Sequence, residues 1–267
     1  MKKLSVFLWA LVLVFGIMEN VNAALWDRGG GLIYDDVLNI TWLQDANYAK
    51  TSGYDADGGM VWAEAINWAT NLTYYDTVRG VTYDDWRLPH ALPLNGSSYT
   101  YNFAYDGSSD RGYNVSAPGS IYEGSTASEM AYTYFNTLGN KAYYDFNANG
   151  PQAGWGLLNT GPFINWQFYS YWSGNECEGY LEDGQVIRSW SFCYAGPSWS
   201  PTSNGHQYND GKGLPLYAWA VRDGDVVPIP GAIWLLGSGL IGVIGIRMKF
   251  RKVAKVNSLN NKGWLFD

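Results

Sequence analysis

Apolar positions fall into short runs along this chain, and their spacing predicts the elements. Gly31-Leu32-Ile33-Tyr34-Asp35 and Ile40-Thr41-Trp42-Leu43 read as two strands, with Asp35 to Asn39 as the turn between them. From Met60 to Leu72, the residues Trp62, Ala65, Ile66, Ala69 and Leu72 recur at spacings of three and four, which predicts one amphipathic helix. A second helix is expected after Thr126-Ala127-Ser128-Glu129, a capping-box pattern. Its stripe is Met130, Tyr134 and Leu138, and Gly139 supplies the stop. Leu92 to Gly124, rich in Gly, Ser, Tyr and Asn, predicts an irregular excursion. Phe168 to Trp172, Gln185 to Phe192 and Leu216 to Val221 read as strands.

The two ends have a different pattern. Ile229 to Ile246 carries no charge. Eighteen residues at about 1.5 Å each reach roughly 27 Å, close to the ~30 Å of a bilayer core. The basic cluster Arg247, Lys249, Arg251, Lys252 and Lys255 follows directly, and such a cluster stays cytoplasmic. At the other end, Met1-Lys2-Lys3, an apolar run from Leu4 to Ile17 and the small residue Ala23 have the layout of a secretory signal peptide cut after Ala23. An uncleaved anchor helix is the other reading. The expected organisation is a signal peptide over 1–23, an exported domain over 24–227, a transmembrane or sorting helix over 228–246 and a basic cytoplasmic tail over 247–267. On this reading the protein is exported to the cell envelope. One C-terminal helix anchors it in the inner membrane, with release after sorting as a variant.

Charge sharpens this division. The exported part has 9 Lys+Arg and 22 Asp+Glu, a net of −13, whereas the segment after Ile246 has 6 Lys+Arg and 1 Asp, a net of +5. An acidic domain is unsuited to nucleic acid, whose phosphates need a basic face. The two cysteines, Cys177 and Cys193, predict a disulfide in an exported chain, with two buried free thiols as the alternative.

Candidate chemistry is sparse. Asp145-Phe146-Asn147-Ala148-Asn149-Gly150 matches the first half of a calcium loop, but position twelve is Gly156 where a bidentate Glu is needed. It is therefore either another kind of calcium loop or a polar turn. Asp55 and Asp57 form a second cation candidate. Trp166, Tyr169, Trp199 and Tyr101 lie in polar surroundings and are candidates for stacking on a ligand. Glu176, Glu178, Glu182 and Asp183 cluster beside Cys177, and paired carboxylates can hydrolyse glycosides. Such a run also suits a solvated face. No nucleophile elbow, zinc-protease helix or phosphate loop occurs in the sequence.

Several of these residues carry a resemblance. Asp85-Trp86-Arg87-Leu88-Pro89, Tyr171-Trp172-Ser173 and Ala218-Trp219-Ala220-Val221-Arg222 resemble the signatures of the domain at the C-terminus of a collagen-like bacterial adhesin. Tyr54-Asp55-Ala56-Asp57-Gly58 and Gly154-Trp155-Gly156-Leu157 look like an exported branch of that family. The resemblance implies an α+β, C-type-lectin-like fold with two helices, short antiparallel strands and long loops. Val227-Pro228-Ile229-Pro230-Gly231, the apolar run and Arg247 look like the Val-Pro-Leu-Pro-Ala variant of the Pro-Glu-Pro C-terminal sorting signal. That similarity implies signal peptidase and an exosortase-type enzyme as partners. Together they lead to the expectation of a non-enzymatic adhesion module for extracellular polysaccharide or matrix. An exported polysaccharide hydrolase and a structural envelope protein are the other readings.

Overall fold

The computed structural model describes residues 25–226. Two β-sheets organise them. The first has four strands in the order β1 (Leu25–Asp27), β2 (Leu32–Asp35), β3 (Ile40–Leu43) and β15 (Val221–Asp223), each antiparallel to its neighbour. The turn between β2 and β3 is fixed locally. Asp35 Oδ1 accepts the N–H groups of Val37 and Leu38, and Asn39 takes the left-handed conformation at φ 52° that closes it.

The second sheet is built on β9 (Ser170–Glu176), β12 (Arg188–Cys193) and β13 (His206–Gly211). Its full order also takes in β4 (Gly59–Met60), β7 (Phe103–Ala104), β8 (Arg111–Tyr113) and β14 (Leu216–Tyr217), and it runs β4-β14-β9-β12-β13-β8-β7. Two small hairpins stand apart from it, β5 (Tyr74–Asp76) with β6 (Val81–Tyr83) and β10 (Leu181–Glu182) with β11 (Gln185–Val186).

Helix is a minor component. α1 is a single turn, Tyr48–Thr51, and α2 is Trp62–Thr70. α3, Glu129–Tyr132, passes directly into a π-helical stretch, Thr133–Thr137. The expected stripe of Met130, Tyr134 and Leu138 is buried, and Gly139 ends the segment at φ +67°. The N-cap, however, is Ser128, whose hydroxyl accepts from Ala131 N at 3.3 Å. Glu129 leaves the capping role because Arg87 and His90 N take both of its carboxylate oxygens.

The α+β, C-type-lectin-like expectation is therefore corrected. Strand makes up 29% of the described residues and helix 12%, in several sheets. Among the described residues no helix is long and apolar enough to cross a membrane, against the expected anchored localisation. The segments read as signal peptide (1–23), sorting motif (Val227, Pro228, Pro230, Arg247) and membrane helix (228–246) lie outside the described residues.

The disulfide is corrected too: Cys177 and Cys193 are free and buried. Cys177 N bonds Arg188 O at one end of the β9–β12 ladder, and Cys193 pairs with Ser170 at the other. Five residues of strand separate these levels, roughly 17 Å at ~3.3 Å each. A disulfide needs Cα atoms within about 7 Å.

The core is aromatic. Trp42, Trp172, Trp190 and Trp219 have no solvent exposure, and Trp42 lies on Trp219 at 4.1 Å between ring centroids. Trp172 Nε1 donates to Met60 O and Trp219 Nε1 to Leu43 O, so these two indoles are satisfied as they are buried. Of the residues carrying the adhesin-like resemblance, Trp86 and Leu88 are buried as well. Arg87 holds both Glu129 and Asp223.

Candidate functional site

Three stretches of irregular chain converge on a cleft of about 780 Å³. The first, residues 155–160, is clamped from below. Asn140 Oδ1 accepts the N–H groups of Leu158 and Asn159 at 3.0 and 2.9 Å, and its Nδ2 donates to Asn159 O at 2.8 Å. Asn159 Nδ2 then reaches Leu138 O at 2.8 Å. One buried carboxamide thus fixes a loop that has no ladder of its own. Trp155 rests edge-on against Tyr143 at 4.9 Å.

The second stretch is Trp166-Gln167-Phe168. Trp166 is an anchor, packed against Tyr194 at 4.6 Å and Trp219 at 4.9 Å. Gln167 N donates to Tyr171 Oη at 2.8 Å, which turns the following Phe168 outward.

The third stretch leaves β12 as Ala195-Gly196-Pro197-Ser198-Trp199. A Ser200 N–H to Pro197 O bond of 2.8 Å closes a turn, and a 3₁₀ turn over Pro201–Ser203 follows. Gly196 is obligatory for a steric reason: a Cβ there would sit 2.4 Å from Ser200 O. Trp199 touches Tyr169 at 6.1 Å and is otherwise presented to solvent.

The surface that results is unusual. Trp199 is 75% exposed, Phe168 74% and Leu158 74%. They are the three most exposed large apolar side chains among the described residues, and all three line this one cleft. Leaving that much apolar area in water costs the free chain, so its grouping makes this cleft the candidate interaction site. No Asp, Glu, Lys, Arg, His, Cys or Tyr lines the cleft; its polar side chains are Thr160, Gln167, Ser198 and Asn204. It can stack, exclude water and accept hydrogen bonds, but it presents no group to carry a proton or act as an ionised nucleophile.

The other predicted residues fall elsewhere. Of the four aromatic candidates, Trp166, Tyr169 and Trp199 come together. Tyr101 does not. It stacks on Trp190 at 6.0 Å, and its hydroxyl accepts Gly179 N at 3.1 Å in a separate buried cluster with Tyr99 and Tyr180.

Asp145 uses its carboxylate on its own loop. Oδ1 accepts from Asn147 N and Asn149 N, and Asn149 Nδ2 donates to both oxygens. The Asn149 N–H is the main cause holding the Asp145 carboxyl below the usual range. Ala148, left-handed at φ 63°, completes a tight polar turn. Asp55 is used in the same way by the N–H groups of Asp57 and Gly58, chiefly Asp57, and is likewise held low. Among the described residues no group of three or more His, Cys, Asp or Glu side chains is placed to hold a metal.

The acidic run does not form a paired site. Glu176 is held by Lys212, which also lies 4.4 Å over the Trp62 ring. Glu178, Glu182 and Asp183 are exposed, the last two on the tip of the β10–β11 hairpin, where Asp183 and Gly184 are left-handed at φ 49° and 75°.

Both thiols are buried, Cys177 against Asn209 Nδ2 and Cys193 opposite His206 in the β12–β13 ladder. Burial pushes Cys193 up to about 12 and raises Cys177 as well. Burial also drives His206 down to about 3, with its ring stacked 4.7 Å from Tyr113.

Sequence reasoning missed Leu158, Phe168 and Asn204 as cleft residues. Trp155 stands out in the sequence only as part of the Gly154–Leu157 resemblance. Their shared signal is faint: aromatic or apolar residues inside stretches dense in Gly, Pro, Asn and Ser, where no periodic element calls for them. Neither a family model, nor a curated protein, nor a solved structure matches the chain.

Proposed function

We propose that the 25–226 domain is a non-enzymatic binding module that holds a glycan on the aromatic cleft. One observation carries this reading: the three most exposed large apolar side chains share one uncharged cleft with Trp155 and Trp166. The C–H groups on the face of a pyranose carry slight positive charge and meet the negative face of an indole or phenyl ring. Hydroxyls around the ring edge find the polar side chains between the aromatics. A preformed concave surface of this size suits one or two sugar residues of a longer chain. The adhesin-like sequence resemblance points the same way. Hydrolysis by the acidic run is less well supported, because Glu176 is engaged by Lys212, Glu178 is exposed, and Glu182 and Asp183 sit on a hairpin tip.

The test is affinity electrophoresis of the purified full chain through gels containing single polysaccharides. At least one polymer is expected to retard it, and Trp199→Ala is expected to weaken that retention about tenfold with an unchanged melting temperature. Retention by no polymer in a broad panel, or retention indifferent to Trp199→Ala, overturns the reading.

A further inference from the structure

We infer that the cleft selects uncharged sugar rings and that Asn204 reads one of their hydroxyl groups. This rests on the glycan-binding reading above and narrows it to a ligand class and a specificity-determining residue.

The charge argument comes first. The lining contains no cation, so a uronate or sulfated sugar entering it would shed water around its anionic group and gain no partner. The domain around it carries 22 Asp+Glu against 9 Lys+Arg, a field that also disfavours anionic chains on approach. A neutral sugar meets neither penalty.

Asn204 supplies the polar reading. Its side chain lines the cleft, yet the residue is only 4% exposed. Nδ2 donates to Pro201 O at 2.7 Å, which fixes the orientation of the amide, since a carbonyl can only accept. The backbone C=O accepts Tyr143 N. Oδ1 is left with no hydrogen-bond partner within the domain. It lies near Gly156, where an added Cβ would meet it in ordinary van der Waals contact, at 3.7 Å. A held acceptor that no group of the domain satisfies, in an uncharged cleft, suits an O–H donor of the ligand. Such an acceptor discriminates strongly, because a ligand without the donor leaves it desolvated and unpaired.

The experiment compares gels of neutral hydroxyethylcellulose, xylan, mannan and dextran with gels of polygalacturonate and alginate, at low and at 0.5 M salt, using the full chain. Retardation is expected from at least one neutral polymer, unchanged by salt, and from neither acidic one. The O-methylated form of the bound polymer is expected to lose about tenfold, as is Asn204→Leu, which removes the acceptor. Because Asn204→Leu also loses the bond to Pro201, Ser198→Lys at the exposed rim is the second variant. It is expected to gain retention on polygalacturonate that 0.5 M salt abolishes. Equal retention by acidic and neutral polymers overturns the charge selection. Undiminished retention of the O-methylated polymer, or by a folded Asn204→Leu, overturns the role of Asn204. In both cases glycan binding itself survives if Trp199→Ala still weakens it. Retention by nothing removes the binding reading and this inference together.

Discussion

Arg87 grips Glu129 through two parallel N–H···O bonds, Nη1 to Oε2 at 2.8 Å and Nη2 to Oε1 at 2.7 Å, across 42 residues of chain. The same guanidinium holds Asp223 on β15, and the Arg87 backbone exchanges both of its hydrogen bonds with Val221. Glu129 closes the arrangement by accepting His90 N at 2.6 Å. One side chain thus ties the start of α3 to the edge of the four-stranded sheet. The pair is mostly buried, so removing one partner leaves the other charge stranded. Glu129→Ala is expected to cost about 3 kcal/mol in urea unfolding at neutral pH. A loss below about 1 kcal/mol would show the node to be dispensable.

Asp35 should give a measurable pH dependence. It is fully buried, and burial is the leading cause that raises its pKa above the ordinary carboxylate value. The neighbouring Asp36 adds to the rise, and the bonds from Leu38 N, Thr137 Oγ1 and Val37 N oppose it. A raised carboxyl penalises the folded state when ionised. That penalty is present at neutral pH and disappears as pH falls through the raised folded value towards the unfolded one. Asp35→Asn keeps the Oδ1 acceptor of the turn, so it should match or exceed the parent in stability at pH 7. The difference should shrink by pH 4. Chemical unfolding of both proteins at the two pH values decides it. A difference that grows on acidification contradicts the assignment.

The thiols should be chemically silent until the domain opens. Cys177 and Cys193 are buried and both are shifted towards the protonated, unreactive form. A thiol-reactive disulfide dye should titrate close to none in native buffer and two per chain in strong denaturant. A reducing agent should leave the melting temperature where it was. Fast reaction of either thiol in native buffer would contradict the burial.

Two tryptophans of the same cleft should part company under mutation. Trp166 is packed into Tyr194, Trp219 and Phe163, so Trp166→Ala opens a cavity and should cost about 3 kcal/mol. Trp199 stands 75% exposed, and Trp199→Ala should change stability by under about 0.5 kcal/mol. Thermal unfolding of the two variants checks this. Similar losses for both would mean that Trp199 is packed rather than presented.

The parts of the fold that sequence made legible are those decided within a few residues. The β2–β3 turn is written in Asp35 and Asn39, and α2 in the spacing of Ala65 and Ala69, although Trp68 also turned inward to the core. The misreadings came from distant partners. The capping box from Thr126 fails because Arg87, far back in the chain, claims Glu129. The strand expected from Phe168 starts only at Ser170, since Tyr171 Oη draws Gln167 N out of line and commits 166–168 to the cleft wall. The cysteine pair looked bridgeable from its short separation in sequence. The β9–β12 ladder sets the two at opposite ends, a length no count along the chain reveals. Part of the cleft is visible as Trp166 and Trp199 in polar text, with Tyr169 beside it. The rest depends on which loops Asn140 and Asn204 pin down, and neither asparagine stands out from its neighbours in the sequence.

The four-stranded sheet has a consequence for how this unit can be joined to other polypeptides. Its outermost strands are β1 and β15, the first and last of the described domain. Three inter-strand spacings of ~4.8 Å put these two strands only about 15 Å apart. A domain whose entry and exit share one sheet can be spliced into a surface loop of a host or circularly permuted, with a linker of a few residues bridging the gap.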